Sequence, residues 1–175
     1  LLKLSEKTLK RWHNQRLDRL VKEDIRDMEN IRDLSLLQIL VDILPDKVSS
    51  LLSINSLRED LSVSHNTASR WIEMLERFYY HFRVYPFSFK KIRSIKKEPK
   101  LYLWDWSEIK SNEPARLENI VESHLLKLCH FMNDTEGYKT ELNFLRDIEG
   151  REVDFLVSES KKPWFAVEVK SSHKV

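Results

Sequence analysis

Glycine is nearly absent from this chain: two occur in 175 residues, Gly137 and Gly150. A loop that wraps phosphates with backbone amides needs several glycines close together, so this chain does not bind ATP by that route. Cysteine is scarcer still. Cys129, in "HLLKLCHF", excludes an intramolecular disulfide, suits a reducing cytosol and reads as a core thiol. No apolar run approaches the roughly 20 residues of a membrane helix, and no signal peptide is visible. A cytoplasmic protein with no membrane partner is therefore expected. The first residue is Leu rather than Met, which reads as a piece of something longer.

What is present is apolar mass and charge, 41% hydrophobic and 33% charged residues. The net charge of +2 hides an uneven distribution. Residues 1–45 are close to balanced, residues 46–110 carry a basic excess, and residues 111–175 an acidic one. The middle can therefore favour phosphates and the end can favour cations.

Residues 1–45 predict two helices. One carries an apolar stripe through Leu9, Trp12, Leu17, Leu20, Val21, Ile25 and Met28. The other, "LSLLQILVDIL", stops at Pro45. No chemical motif lies here, and the segment is read as a helical connector. Residues 46–110 predict a short helix around Leu57–Leu61, a turn at 62–64 and a longer helix capped by Ser64. Ala68, Ile72 and Leu75 share the inner face of that longer helix. This is a helix-turn-helix layout, with His65, Asn66, Thr67 and Arg70 presented at the start of the second helix. Two strands centred on Val84 and Tyr102 follow, joined by a basic loop that includes Lys90, Lys91, Arg93, Lys96, Lys97 and Lys100. Together these make a winged helix, and the wing would contact DNA phosphates without reading sequence. Protein docking is the competing use of such a module, and Glu73 and Glu76 would repel phosphates.

Residues 111–175 predict a helix, "ARLENIVESHLLKLCHFM", capped by Asn112 with Pro114 in its first turn. Its apolar stripe is Leu117, Val121, Leu125, Leu128 and Met132. Glu118 projects at the inner edge of that stripe, and Glu122 lies further round, toward solvent. Three strands follow, "TELNFLR", "EVDFLV" and "FAVEVKS", with a turn at 147–150 between the first two. Alternation puts Val153, Phe155 and Val157 on one face of the middle strand and Asp154 on the other. If the last two strands turn around Lys161, Asp154 lies opposite Glu168. Like charges so placed repel, unless they are solvated, neutralised by Lys170, or bridged by a divalent cation. The six histidines show no ligand spacing, and no Ser-His-Asp or Cys-His arrangement stands out.

One helix with an inward acid, then a meander with Asp and a later Glu-x-Lys, resembles the PD-(D/E)XK nuclease core. More narrowly, "ARLENIVESHLL", "LNFLRDIEGREVDFLV" and "AVEVKSS", with "YPF" and "KLYLWD" before them, are similar to the C-terminal region of bacterial and archaeal AAA-type ATPases. There a winged helix precedes a nuclease-like domain of unassigned function. The resemblance covers roughly residues 46–172. It implies Glu118, Asp154 and Glu168 as Mg²⁺ ligands and, with Lys170, as the catalytic set. Val153 stands where the family name implies proline. The chain stops at Val175, where the nuclease core normally continues with a helix and a strand.

The fold expected is α+β: a helical connector over 1–45, a winged helix over 46–110 and an αβββ restriction-endonuclease-like domain over 111–175, incomplete at its C-terminus. The function expected is DNA binding through the winged helix within an AAA-type ATPase, with a Mg²⁺ site equipped to hydrolyse phosphodiesters in the intact protein. The alternative is a catalytically inert interaction or regulatory module of that ATPase. Expected partners are DNA and the protein's own ATPase module, with a homo-oligomer left open. The chain as given is expected to bind Mg²⁺ or Mn²⁺ weakly, without turnover.

Overall fold

The computed structural model describes residues 5–25, 33–88, 97–147 and 149–171, apart from the side chains of Glu6 and Asp24. The chain is mixed α+β and divides into two compact units. One comprises Leu1–Pro45 with Ile54–Tyr79, the other Asp46–Ser53 with Tyr80–Val175.

The first unit is helical. Helix α1 (Glu6–Arg19) starts at Ser5, whose hydroxyl accepts the Thr8 amide, and runs into a π-helical turn, Leu20–Ile25. Of the stripe expected here, Val21 and Ile25 are buried, while Leu9 and Trp12 are exposed. Helix α2 (Leu34–Ile43) is capped by Asp33. It gives way to a 3₁₀ turn, Leu44–Lys47, because Pro45 cannot supply the amide an α-helix needs there. Helices α3 (Ile54–Asp60) and α4 (His65–Arg77) are joined by a tight turn in which Ser62 takes a positive φ. Ser64 caps α4 by accepting the Thr67 amide at 3.1 Å. The inner face of α4 is Ala68, Trp71, Ile72, Met74 and Leu75, all buried.

The second unit is built on one five-stranded mixed sheet in the order β2-β1-β3-β4-β5. Its strands are β1 (His81–Pro86), β2 (Lys100–Leu103), β3 (Thr140–Arg146), β4 (Glu152–Glu159) and β5 (Lys162–Val167). β1 pairs antiparallel with β2 and parallel with β3, so the β1–β2 pair and the later meander share one sheet. The outer side of β2 is met by residues 46–53, through bridges Val48↔Leu101 and Leu51↔Lys100. β5 is the far edge strand. It carries Pro163, which has no amide to donate, as edge strands tolerate. The β4–β5 hairpin turns through Ser160 and Lys161, both at positive φ, as a two-residue turn requires. A bulge next to Val157/Ser158 then shifts the register so that Phe155 faces Val167 and Leu156 faces Ala166.

Helix α5 (Glu113–Thr135) packs on this sheet, capped by Asn112 with Pro114 in its first turn. Two asparagines pin it down, each doing for a strand residue what a neighbouring strand would do. The Asn119 carboxamide accepts from the Leu103 amide at 2.8 Å and donates to the Leu103 carbonyl at 2.9 Å. Asn133 does the same for Thr140, at 2.7 and 3.0 Å. Among the described residues no helix is long and apolar enough to cross a membrane.

Candidate functional site

The site begins with an irregularity in β4. Asn143 pairs with Leu156, and Leu145 pairs with Val153, so β4 spends one residue more than β3 over this stretch. The extra residue makes Asp154 and Phe155 together oppose Phe144. Strict alternation sends those two side chains to opposite faces, and a bulge lifts that rule. Phe155 lies against Tyr102, with ring centroids 5.8 Å apart, and Asp154 Oδ1 lies 4.0 Å from Lys100 Nζ. Lys100 and Tyr102 are two apart on β2 and share a side. The bulge therefore corrects the alternation expected for this strand, and turns Asp154 and Glu152 toward the side of Tyr102.

There the acids converge on Lys100, whose ammonium contacts Glu152 Oε1 at 2.5 Å and Glu118 Oε1 at 3.1 Å. The separation of Glu118 and Asp154 is thus bounded by the sum of their distances to one nitrogen. Tyr102 donates its hydroxyl to Glu118 at 2.7 Å, and the Val169 amide donates to Asp154 Oδ2 at 2.8 Å. Arg146, half-exposed, reaches the second Glu152 oxygen at 3.4 Å. The Lys100 side chain is only 4% exposed. Burial is the strongest single influence on it and favours the neutral amine. The hydrogen bond and charge of Glu152 and the charge of Glu118 outweigh burial, and the pKa stands above the ordinary lysine value. The Tyr102 phenol is pushed far up, first by burial and then by Glu118, Glu122 and Asp154, so it stays a donor.

The inner face of α5 differs from the one expected. Leu117, Val121, Leu125, Leu128 and Met132 are only half-buried, while Ala115, Asn119, Glu122 and Cys129 are buried. Glu122, expected toward solvent, is fully buried and neither carboxyl oxygen has a hydrogen-bond partner among the described residues. Burial alone pushes its pKa up to about 9. It is the neutral acid that this interior tolerates.

Of the four residues singled out for chemistry, Glu118 and Asp154 meet at Lys100. Glu168 lies just past the end of β5, with its side chain 49% exposed, and pairs with Lys170, 78% exposed, at 3.5 Å. Two members of the cluster escaped the sequence. Glu152 sits two before Asp154 on one strand, a spacing that puts both on one side and could have been noticed. Lys100 reads from the sequence as part of the basic loop, yet it begins β2 and shares a side with Tyr102. At the start of α4, His65, Asn66 and Arg70 are exposed, and the Thr67 hydroxyl is held by Ser64 at 2.8 Å. Lys97 is exposed; Lys90, Lys91, Arg93 and Lys96 lie outside the described residues.

Comparison with known families bears on both parts of the chain. Residues 115–175 match a domain of unknown function (DUF4143), a domain found in the C-terminal region of AAA-type ATPases. Residues 1–108 match a second domain of unknown function (DUF8612), and the chain belongs to that family. No curated protein and no solved structure matches the chain.

Proposed function

We propose that this chain is the C-terminal region of an AAA-type ATPase, with a winged helix that binds DNA and a PD-(D/E)XK-like domain carrying a Mg²⁺ site for phosphodiester hydrolysis in the intact protein. The observation that carries the reading is the convergence of Glu118, Glu152 and Asp154 on one buried cation. The donor chemistry suits the metal, but the oxygens of the three acids do not all lie within 4.8 Å of one another, so an ion would have to draw them together. Carboxylate oxygens are the hard ligands Mg²⁺ takes, and the Lys100 ammonium stands in for a positive charge among them. Glu118, Glu152 and Asp154 would hold the ion, with Glu168 at the rim. A bound ion would supply an acidified water and offset charge at the phosphate. Lys170, at the exposed rim, is free of the buried cluster and would meet the substrate from the solvent side.

DNA binding is supported by the exposed His65, Asn66 and Arg70 and by the basic excess of residues 46–110. The affinity is expected to be weak, salt-sensitive and indifferent to sequence. Changing Lys90, Lys91, Lys96 and Lys97 to Gln should weaken binding to every duplex and flatten the salt dependence by about one unit per lost phosphate contact. Gel retardation at several salt concentrations measures both, and unchanged binding would remove the loop from the interface. For the chemistry, Mg²⁺-dependent cleavage of DNA and RNA by the full ATPase should vanish with Asp154→Ala.

One observation favours a second reading, an inert interaction module. Glu168 and Lys170 pair with each other outside the cluster, while the acids are partly neutralised from within. No cleavage by the full protein, no DNA retardation at low salt, and capture of the protein's own ATPase module would support it.

A further inference from the structure

β1 and β3 run side by side for only two residue pairs, Tyr85↔Asn143 and Pro86↔Phe144. Toward the N-terminal ends of both strands a cavity of about 290 Å³ opens within the second unit. That is the small end of the range for ligand pockets, which begins at roughly 300 Å³. Its walls include Arg83 and Tyr85 of β1, Asn143 of β3, Leu126 and His130 of α5, and Lys161 of the β4–β5 turn. The acid cluster contributes nothing to them among the described residues.

Three features of these walls point to one kind of ligand. The first is a stranded acceptor. Asn143 is 9% exposed, its amide donates to the Tyr85 carbonyl at 3.2 Å, and its Oδ1 is buried without a hydrogen-bond partner among the described residues. A carbonyl only accepts, so the amide must face Tyr85 and the oxygen is the atom left over. A buried acceptor left alone costs stability, and a ligand N–H that reaches it recovers the loss. The second feature is charge. Arg83 and Lys161, with His130 beside them, stand against one carboxylate, Glu141, so the walls are net positive whatever pairs these groups make. The third is a flat apolar surface. Tyr85 and Leu126 are half-buried, and the Arg83 guanidinium lies over the Tyr85 ring, 5.9 Å from its centroid.

We propose that this cavity binds a nucleoside monophosphate, with the base against Tyr85 and Leu126, a base N–H on Asn143 Oδ1, and the phosphate at Lys161, His130 and Arg83. Lys161 and His130 are exposed, which sets the phosphate at the mouth, and Asn143 is buried, which sets the base inside. A phosphate alone would leave Oδ1 unanswered, and an uncharged ring would leave the cations unanswered. Oδ1 is screened from solvent, so the floor gives way as the base arrives, and the recovered hydrogen bond favours that. The proposal does not rest on the metal reading: Lys161 follows the Glu159 end of β4, and Glu152 begins the other.

The test is calorimetric titration of the purified chain with AMP in EDTA, so that no metal takes part. AMP should bind more tightly than about 1 mM. Adenosine, which lacks the phosphate, and purine riboside monophosphate, which lacks the amino group, should each bind about tenfold more weakly. Lys161→Asn combined with His130→Gln changes two exposed positions, and Asn suits the positive φ of residue 161. This variant should keep its unfolding midpoint, bind AMP about tenfold more weakly and bind adenosine as the wild type does. In the wild type, AMP should also shift the ¹⁵N signal of the Asn143 side-chain amide. Displacement of AMP by a 5′-phosphorylated hexanucleotide would identify the nucleotide as a strand end, and no displacement would identify it as free. No binding of AMP at about 1 mM, or equal binding of AMP and inorganic phosphate, would overturn the proposal. So would an Asn143 signal unmoved at saturation, or undiminished AMP affinity in the folded double variant.

Discussion

Helices α4 and α5 solve the same problem in opposite ways. Each lays one face into the interior of its own unit. α4 does so with Ala68, Trp71, Ile72, Met74 and Leu75, α5 with Ala115, Asn119, Glu122 and Cys129. The first face is held by area removed from water, which is tolerant of exchange among apolar groups of similar volume. In the second, Asn119 holds Leu103 by directed bonds, which are intolerant of exchange because a buried donor or acceptor left alone costs more than the bond is worth, while Glu122 is buried with no hydrogen bond among the described residues. A helix that gives up apolar contact for Asn and Glu is shaped by something besides stability, and in α5 the polar residues flank the acid cluster.

Three substitutions would break or sharpen this contrast. The largest effect is expected from Lys100→Met in metal-free buffer. Removing one partner of a buried ion cluster should lower stability by about 3–5 kcal/mol in urea unfolding. An unchanged midpoint would mean that solvent, not Lys100, compensates the acids. Asn119→Ala should come next, at about 1–3 kcal/mol, because it strands both backbone groups of Leu103. Ser69→Ala is the control: Ser69 is half-buried on α4 with only a long 3.4 Å bond to Glu73, and the change is expected to stay within about 0.5 kcal/mol.

A further test is the dependence of stability on pH. The folded-state pKa of Glu122 is raised to about 9 from an ordinary 4.5. The folded chain therefore keeps a proton that the unfolded chain has released. Its stability is full below 4.5 and declines as pH rises toward 9, by at most about 1.4 kcal/mol per pH unit. Glu122→Gln should flatten that decline in unfolding midpoints measured at several pH values. An identical slope in the variant would mean that Glu122 is not the neutral acid.

The same contrast explains what the sequence made legible. The face of α4 could be read from periodicity because hydrophobicity decided it. The strands β3 and β4 and the turn at Lys161 could be read as well, since β-branched and aromatic residues alternate there between polar breaks; β5 runs Lys162–Val167 rather than through "FAVEVKS", so Glu168 and Lys170 fall past its end. The face of α5 could not, because a reading that follows apolar residues sends Glu122 outward, and only packing against a sheet reverses it. Asp154 was found through its motif, but its direction was not, since a bulge depends on the partner strand and leaves no mark in β4 alone. Lys100 was hidden by its neighbours: it follows a run of lysines, and only the pairing of β2 with β1 separates it from them.

The pairing of β1 with β3 has a consequence for the order in which the molecule assembles. The two strands run parallel, and Asn143 donates its side-chain amide to the Tyr85 carbonyl, 58 residues away in the chain. Contacts of such sequence separation close large loops and form late. The β1–β2 hairpin and the β3–β4–β5 meander, being local, can each form first. Lys100 would then wait on one piece and Glu152 and Asp154 on the other, each without its partner, until the parallel seam closes. Completion of the acid cluster and completion of the sheet are thus one event. A chain stalled before that step would carry a ready-made hairpin and a ready-made meander, and no site.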